Sequence, residues 1–320
     1  MELISVKSDS APHGHIRIQW NMGNSCNYEC EYCPAILHNG SRPWYPLDKY
    51  KIAAQKITEY YKEQSVNVYW ELIGGEVTVM PGFGELLEHM HNLGAGLTVY
   101  TNGSRTINWW KKHKHYIDHV QYTYHVMTQD KEHFLSVLNE INDTCSFSIQ
   151  LAGAKDHLET LLSIRQEVVD RYQQPQNISI KRLYKKTLNG YNPQESFYDY
   201  TEREQEILSM TFQSYDNNTQ EIVDVKYPQT IFKYKDGTEE TCKTSDVKNL
   251  RKNSFTGMKC KLGTTGLNID FNGDIWGSWC GAKRLGNVSE LDSVNFVLDP
   301  VECGFNYCNN ENDIVIEKFR

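Results

Sequence analysis

The sequence predicts an α/β fold built from parallel strand–helix units, and three observations predict it. Short runs of alternating or β-branched apolar residues are each followed by a longer run with a helical stripe. Six such units recur at about 30-residue spacing, as parallel βα units do. The strand ends carry glycine-rich or polar motifs, and after about Asn189 the alternation stops. Six units suit either an open doubly wound sheet or an incomplete barrel, and periodicity does not choose between them.

Residues His15 to Met22 alternate as a strand would, and a cysteine-rich loop follows. After Pro46 a helix is predicted from about Leu47 to Tyr61, with Ile52, Ala53, Ile57 and Tyr60 on one face. A strand from Val66 to Ile73 ends in Gly74-Gly75-Glu76, and a short helix spans about Phe83 to Leu93. The strand Leu97 to Tyr100 ends in Thr101-Asn102-Gly103 and precedes a helix near Ile107 to His115. Three more units follow: strands His119–Val126, Phe147–Leu151 and Ile178–Tyr184, the first two leading into helices Lys131–Asn142 and His157–Gln173. In either architecture the C-terminal ends of the strands face the site, so the cysteine loop, Gly74–Glu76 and Thr101–Gly103 are expected to share one pocket. The C-terminal part shows a turn-rich stretch and charged helix over Tyr191–Leu208, then a polar, partly β-like segment over Gln213–Lys235. A hairpin is predicted over Gly266–Gly277 with its turn at Asn272-Gly273.

With 320 residues and 39% aliphatic, aromatic and cysteine content, to which 21 glycines add, the chain can bury a full core. No window is long and apolar enough to span a bilayer, and the N-terminus lacks a signal-peptide layout. A soluble, cytoplasmic protein without membrane association is expected. A formal charge of −8 gives no general attraction to nucleic acid. Nine cysteines without an export signal point to metal ligands rather than to a disulfide framework.

Cys26, Cys30 and Cys33 lie on one short loop after a strand. Three thiolates so spaced can wrap three corners of an iron–sulfur cube. Structural zinc takes four protein ligands, and His38 is the sole nearby candidate for a fourth. Fortuitous clustering of free thiols is the remaining reading. An open coordination position is where a substrate or cosubstrate binds.

This spacing, with aromatic Tyr32 just before the third cysteine, resembles the signature loop of the radical S-adenosylmethionine (radical SAM) superfamily. The resemblance covers roughly Ile16 to Tyr184 and implies a partial (βα)6 TIM-type barrel. It implies that Cys26, Cys30 and Cys33 hold a [4Fe–4S] cluster whose unique iron chelates the methionine moiety of S-adenosylmethionine. It also implies that Tyr32 packs near the adenine and that Gly74, Gly75 and Glu76 receive the methionine amino group. Thr101-Asn102-Gly103 matches a common third-strand ending, which adds Asn102. His125 and Gln150, near the ends of later strands, are candidates for ribose or carboxylate contacts, or are satisfied structural residues. The family often has a serine at the fourth-strand position, where this chain departs. Cys145 precedes its strand and reads as structural.

Cys260-x19-Cys280 brackets the hairpin, and Gly286-Asn287-Val288 with Cys303-x4-Cys308 follows. This text resembles a twitch or SPASM extension, although six residues rather than four separate Gly273 from Cys280. Five cysteines in this region suit a twitch with one auxiliary [4Fe–4S] cluster on Cys260, Cys280, Cys303 and Cys308. A zinc site on the same four is the alternative. Cys242 is left over, as an alternative ligand, a donor or a loop thiol. Lys181, Arg182, Lys185 and Lys186 form a basic run that is either a solvated face or an anion-binding wall.

The expected organisation is a barrel over residues 1–188, a bridge over 189–241 and an auxiliary domain over 242–320. The expected activity is reductive cleavage of S-adenosylmethionine and hydrogen abstraction from a substrate carbon. The substrate is a peptide or small polar molecule, with an electron donor such as flavodoxin or ferredoxin. No room is expected before Ile16 for a peptide-recognition domain. Nucleic-acid base modification and a non-catalytic metal-binding protein are the rival readings.

Overall fold

The structure is a computed structural model that describes residues 2–9, 14–172, 177–183, 198–209, 213–215, 222–224, 228–248, 250–296 and 299–320. In chain order its elements begin with β1 (Leu3–Ser8), β2 (His15–Asn21), α1 (Leu47–Glu63), β3 (Asn67–Ile73), α2 (Phe83–Asn92), β4 (Gly96–Thr101) and α3 (Ile107–His113). They continue through β5 (His119–Tyr124), α4 (Lys131–Ile141), β6 (Ser146–Gly153), α5 (Leu158–Arg171), β7 (Asn177–Arg182) and α6 (Glu202–Ser209). Short strands follow: β8 (Gln213–Tyr215), β9 (Ile222–Asp224), β10 (Gln229–Tyr234), β11 (Glu239–Lys243), β12 (Lys259–Cys260), β13 (Gly266–Ile269), β14 (Asp274–Trp276) and β15 (Arg284–Asn287). The chain closes with β16 (Val301–Glu302), α7 (Glu311–Ile314) and β17 (Lys318–Phe319). It divides into two compact units, Met1–Asn21 with Asp48–Trp70 and Lys226–Arg320, and Met22–Leu47 with Glu71–Val225.

In the second unit β4, β5, β6 and β7 pair in parallel in chain order. Each crossover carries a helix with one buried stripe; α4, for instance, buries Phe134, Leu135, Val137, Leu138 and Ile141. A doubly wound sheet reverses its strand order at a switch point, whereas this order runs on without reversal. The sequential parallel array is that of a partial TIM-type barrel. Along β4 and β5 the apolar residues Leu97, Val99, Val120 and Tyr122 are fully buried, and the alternate residues are less so. Asp130 caps α4 by accepting from His133 N at 2.7 Å, which satisfies a backbone donor that the helix itself leaves free. The helix–strand boundaries predicted above hold to within two residues, β5 stopping at Tyr124 and α3 at His113, while the predicted ends at Gln173 and Tyr184 lie outside the described residues.

The first unit centres on a mostly antiparallel sheet, in the order β11-β10-β1-β17-β12-β16. Strand β1 lies inside it, pairing with β10 on one side and β17 on the other. The reading of the sequence had no strand there, because six residues of mixed polarity carry too little pattern. The predicted hairpin forms from β13 and β14, and Gly273 takes φ +77° in its turn. Strand β13 pairs in parallel with β2, Gly266 opposite Arg17. Helix α1 buries Tyr50, Ala53, Ala54, Ile57, Thr58 and Tyr61, a stripe that includes Ala53 and Ile57 of the predicted face but not Ile52, which is 53% exposed, nor Tyr60. Trp20 fixes this face: its ring lies 5.0 Å from Tyr50 and 5.5 Å from Trp70, and all three are fully buried. Burying such side chains contributes about 1.5–3 kcal/mol each.

Candidate functional site

The loop that carries Cys26, Cys30 and Cys33 is tied at both ends through Asn24, which is fully buried. The Asn24 side chain accepts from Arg42 N at 2.7 Å, and its amide lies within reach of Ile36 O, Asn39 Oδ1 and Ser41 Oγ. A tight turn, Cys33 N to Cys30 O at 2.9 Å, brings the second and third cysteines together. The first cysteine approaches Asn102, whose Nδ2 is 4.0 Å from Cys26 Sγ. Burial, followed by the negative potential of neighbouring acidic groups, pushes the Cys26 thiol up to about 11. A thiol so placed ionises only when a cation compensates it.

The end of β3 is laid against this loop. Met22 N donates to Ile73 O at 2.9 Å, Gly75 N to Gly23 O at 2.8 Å, and Glu76 N to Ser25 O at 2.9 Å. The approach admits no side chain. A Cβ on Gly74 would stand 2.5 Å from Gly23 O, and one on Gly75 would stand 2.2 Å from Ser25 O. These two glycines are therefore required by backbone proximity.

Glu76 is 1% exposed. Its Oε1 accepts from Thr78 N (3.0 Å), Thr78 Oγ1 (2.6 Å) and Thr101 Oγ1 (2.7 Å), and its Oε2 from Asn102 N (2.6 Å). Burial raises its pKa, and these four donors oppose that rise. Oε2 retains acceptor capacity for one further donor.

Around the loop, the Tyr32 hydroxyl and His125 Nδ1 lie 2.5 Å apart, with the two rings stacked at 5.9 Å. The same nitrogen is 3.5 Å from Cys30 Sγ, and Thr128 Oγ1 is also 3.5 Å from that sulfur. Burial holds His125 down at about 4, so the neutral ring accepts from the Tyr32 hydroxyl. The structure thus brings together Cys26, Cys30, Cys33, Tyr32, Gly74, Gly75, Glu76, Asn102 and His125. Gln150 sits on β6 opposite Thr123, on the face away from Ile149 and Leu151, and among the described residues no hydrogen bond joins it to the group. Cys145 is buried and donates to Lys114 O at 3.2 Å, a structural role. Lys181 and Arg182 are on β7, while Lys185 and Lys186 lie outside the described residues.

The reading of the sequence missed Asn24, Thr128 and Gln129. Gln129 is 6% exposed, and its amide donates to Asn102 O (2.8 Å) and to the Tyr122 hydroxyl (2.7 Å), while its oxygen accepts from His125 N (3.3 Å). A polar residue just beyond a strand end was the available signal, but only the turn of the chain after Tyr124 shows what it joins.

A second group lies in the first unit. Cys260, Cys280, Cys303 and Cys308 line one pocket with Leu262, Asp313 and Lys318. The strand pair β12–β16, Cys303 N to Met258 O (2.8 Å) and Cys308 N to Asn253 O (2.7 Å) hold the segments that carry them. Burial pushes Cys260 up to about 11 and Cys308 to about 12. Cys242 lies on β11 opposite Thr230, packed against the core that contains Cys308, and is not among the residues lining this pocket.

Among the described residues, no three His, Cys, Asp or Glu side chains stand close enough to hold a single metal ion. An iron–sulfur cube is a different demand, because each thiolate binds its own corner. Thiols gathered on one loop, and four more lining one pocket, fit that donor chemistry. Among the described residues no helix is long and apolar enough to cross a membrane.

Comparison with known proteins bears on this arrangement. No curated protein matches the chain. Among solved structures, native anSMEcpe with bound AdoMet is 14% identical, with 88% of this chain and 81% of that chain covered at a TM-score of 0.49. BtrN in complex with AdoMet and 2-DOIA is 12% identical over 86% and 79%, at a TM-score of 0.42. Streptococcus suis SuiB is 12% identical over 87% and 65%, at 0.39. The Radical SAM superfamily model matches residues 20–171, the segment that holds the cysteine loop, Gly74–Glu76, Asn102, His125 and Gln150. The glycine-lined strand end and the three-thiol loop both fall within this matched segment, and over these residues the chain is similar to the Radical SAM superfamily.

Proposed function

We propose that this protein is a radical SAM enzyme that abstracts a hydrogen atom from a carbon of a peptide or small polar substrate. The observation that carries the reading is the seating of Gly75-Glu76 on the cysteine loop, with no space for a Cβ at Gly74 or Gly75. When bound, the [4Fe–4S] cluster and S-adenosylmethionine supply a one-electron cleavage that yields the 5′-deoxyadenosyl radical. Cys26, Cys30 and Cys33 would hold the cluster as thiolates. The free capacity of Glu76 Oε2 suits an ammonium donor, and Gly74 and Gly75 let the strand end that carries Glu76 seat against the cysteine loop. Asn102 orients Glu76 through its backbone N–H, and its Nδ2 also meets Asn27 Oδ1 at 3.1 Å. Tyr32 and His125 form a stacked aromatic wall beside Cys30 that shields the site from water. Gln150 is kept as a candidate contact on the sheet face. A flavodoxin or ferredoxin would deliver the electron.

We further propose that Cys260, Cys280, Cys303 and Cys308 hold an auxiliary [4Fe–4S] cluster within the C-terminal segment 242–320. The single pocket they line supports this, and zinc on the same thiols is the competing outcome. Anaerobic reconstitution is expected to load about eight irons per chain, as two [4Fe–4S] clusters require. Dithionite with S-adenosylmethionine should then release 5′-deoxyadenosine, and a Cys26, Cys30, Cys33 triple alanine variant should release none. Purified protein holding zinc, without visible absorption and without 5′-deoxyadenosine formation, would instead mark a non-catalytic metal-binding protein.

A further inference from the structure

We infer that Lys318 is the charge-compensating residue of the C-terminal four-thiol site, fixed there to make an anionic cluster easier to reduce. The inference rests on the proposal that Cys260, Cys280, Cys303 and Cys308 bind a [4Fe–4S] cluster. Lys318 is 1% exposed and lines the same pocket as the four thiols. Its Nζ donates to Asp313 O (2.5 Å), Ile316 O (2.7 Å) and Ile314 O (3.3 Å), so all three ammonium hydrogens are spent on backbone carbonyls. Its backbone is paired opposite Cys260, and the ammonium stands 4.9 Å from the Phe255 ring centroid. Carbonyl dipoles and a ring face orient a cation, but they do not neutralise it.

A buried ammonium without a direct ion pair is expensive, because neither the interior nor neutral dipoles replace its water of hydration. Among the described residues Lys318 makes no ion pair within 4.0 Å. Of the two acidic groups lining the pocket, Glu302 is exposed, while Asp313 is 2% exposed, its Oδ1 accepting from Trp279 N at 2.9 Å and its Oδ2 making no hydrogen bond. This carboxyl feels the charge of Lys318 but forms no ion pair with it within 4.0 Å; Lys318 touches the backbone oxygen of Asp313 instead. Besides these carboxyls, the four thiols are the groups lining the pocket that can carry negative charge against Lys318. As neutral thiols they add nothing to the pull of Asp313 on Lys318, whereas as thiolates on an iron–sulfur cube they carry net negative charge that Lys318 offsets. Reduction brings one further electron to the cube from the donor protein. A fixed cation therefore stabilises the reduced form more than the oxidised one, and net charge with solvent exposure is what sets such potentials.

The test uses the full chain with Cys26, Cys30 and Cys33 changed to alanine, so that any remaining cluster is the C-terminal one. Its midpoint potential is read by EPR during a redox titration, in the parent and in Lys318→Met, Lys318→Gln and Lys318→Arg. The neutral variants are expected to lower the equilibrium constant for reduction about tenfold or more, 59 mV for a one-electron couple, with Lys318→Arg close to the parent. Where the single neutral variants fail to fold, Lys318→Met is made in the Asp313→Asn background, and its potential is expected to lie below that of Asp313→Asn alone by the same shift. A neutral variant that folds by circular dichroism but loses the iron that Lys318→Arg retains also counts for the assignment. A neutral variant with its iron in place and an unmoved potential would overturn it. If the parent itself holds no cluster, the four-cysteine reading fails rather than the role of Lys318.

Discussion

Asn102 N donates to Glu76 Oε2 at 2.6 Å, so the ends of two successive strands, 26 residues apart in sequence, share one buried carboxylate. Glu76 is thereby pinned at the strand ends, with one acceptor direction left over. Replacing it with Gln would set an amide N–H against either Asn102 N or the three donors on Oε1. Glu76→Gln is expected to cost about 1–3 kcal/mol in urea unfolding. It should also weaken S-adenosylmethionine binding about tenfold to a hundredfold, since a charge-assisted bond is lost. Equilibrium dialysis with the reconstituted protein checks the second effect. Unchanged affinity would remove Glu76 from the binding site.

Gly75→Ala tests the close approach of β3 to the cysteine loop. The new Cβ meets Ser25 O, a backbone atom that cannot rotate aside. A destabilisation of about 1–3 kcal/mol is expected, together with loss of iron from the Cys26, Cys30, Cys33 site. Gly304→Ala, with nothing within 4 Å of its Cβ, is the control and should stay within about 0.5 kcal/mol of the parent. Thermal unfolding and iron content report both variants.

Gln129→Leu keeps the volume of the side chain and removes its three hydrogen bonds. Tyr122 OH, Asn102 O and His125 N then lose a partner in a buried place. The expected cost is about 1–3 kcal/mol, larger than for an exposed amide. Because Gln129 touches neither thiol nor carboxylate, it is a positioning residue. KM for S-adenosylmethionine is expected to rise while 5′-deoxyadenosine formation at saturation persists.

His125 carries a pH dependence in the cluster-free protein. Its folded pKa, at about 4, lies below the ordinary 6.5, so between these values the unfolded chain binds the extra proton. Stability is therefore full above about pH 6.5 and falls as the pH drops toward 4. Between pH 7 and pH 5 the loss from this one group is about 2 kcal/mol. Urea unfolding at the two pH values should show that loss in the parent and not in His125→Asn. An equal loss in both proteins would place the titration elsewhere.

Much of this site was legible in the residues. The spacing of Cys26, Cys30 and Cys33, and the glycines and carboxylate of Gly74–Glu76, are local text whose chemistry does not depend on distant partners. The expectation of one shared pocket followed from placing those motifs at the ends of parallel strands. Asn24 and Gln129 escaped notice for the opposite reason. Each is an ordinary amide until the fold surrounds it with backbone groups from other segments, and only then is it the residue that a loop or a strand end hangs from.

The chain by itself determined that strand–helix units alternate, that three thiols cluster after the first of them, and that a second set of cysteines brackets and follows a hairpin. These are periodicities and spacings, and they act over a few residues. The tertiary structure alone decided that β1, near the start of the chain, lies between β10 and β17, and that Lys318 is buried at the four-thiol pocket. It also decided that the stripe of α1 runs through Tyr50 and Ala54 rather than Ile52. Pairing and burial depend on partners tens to hundreds of residues away, and no local pattern encodes which partner a strand edge or a charged side chain will meet.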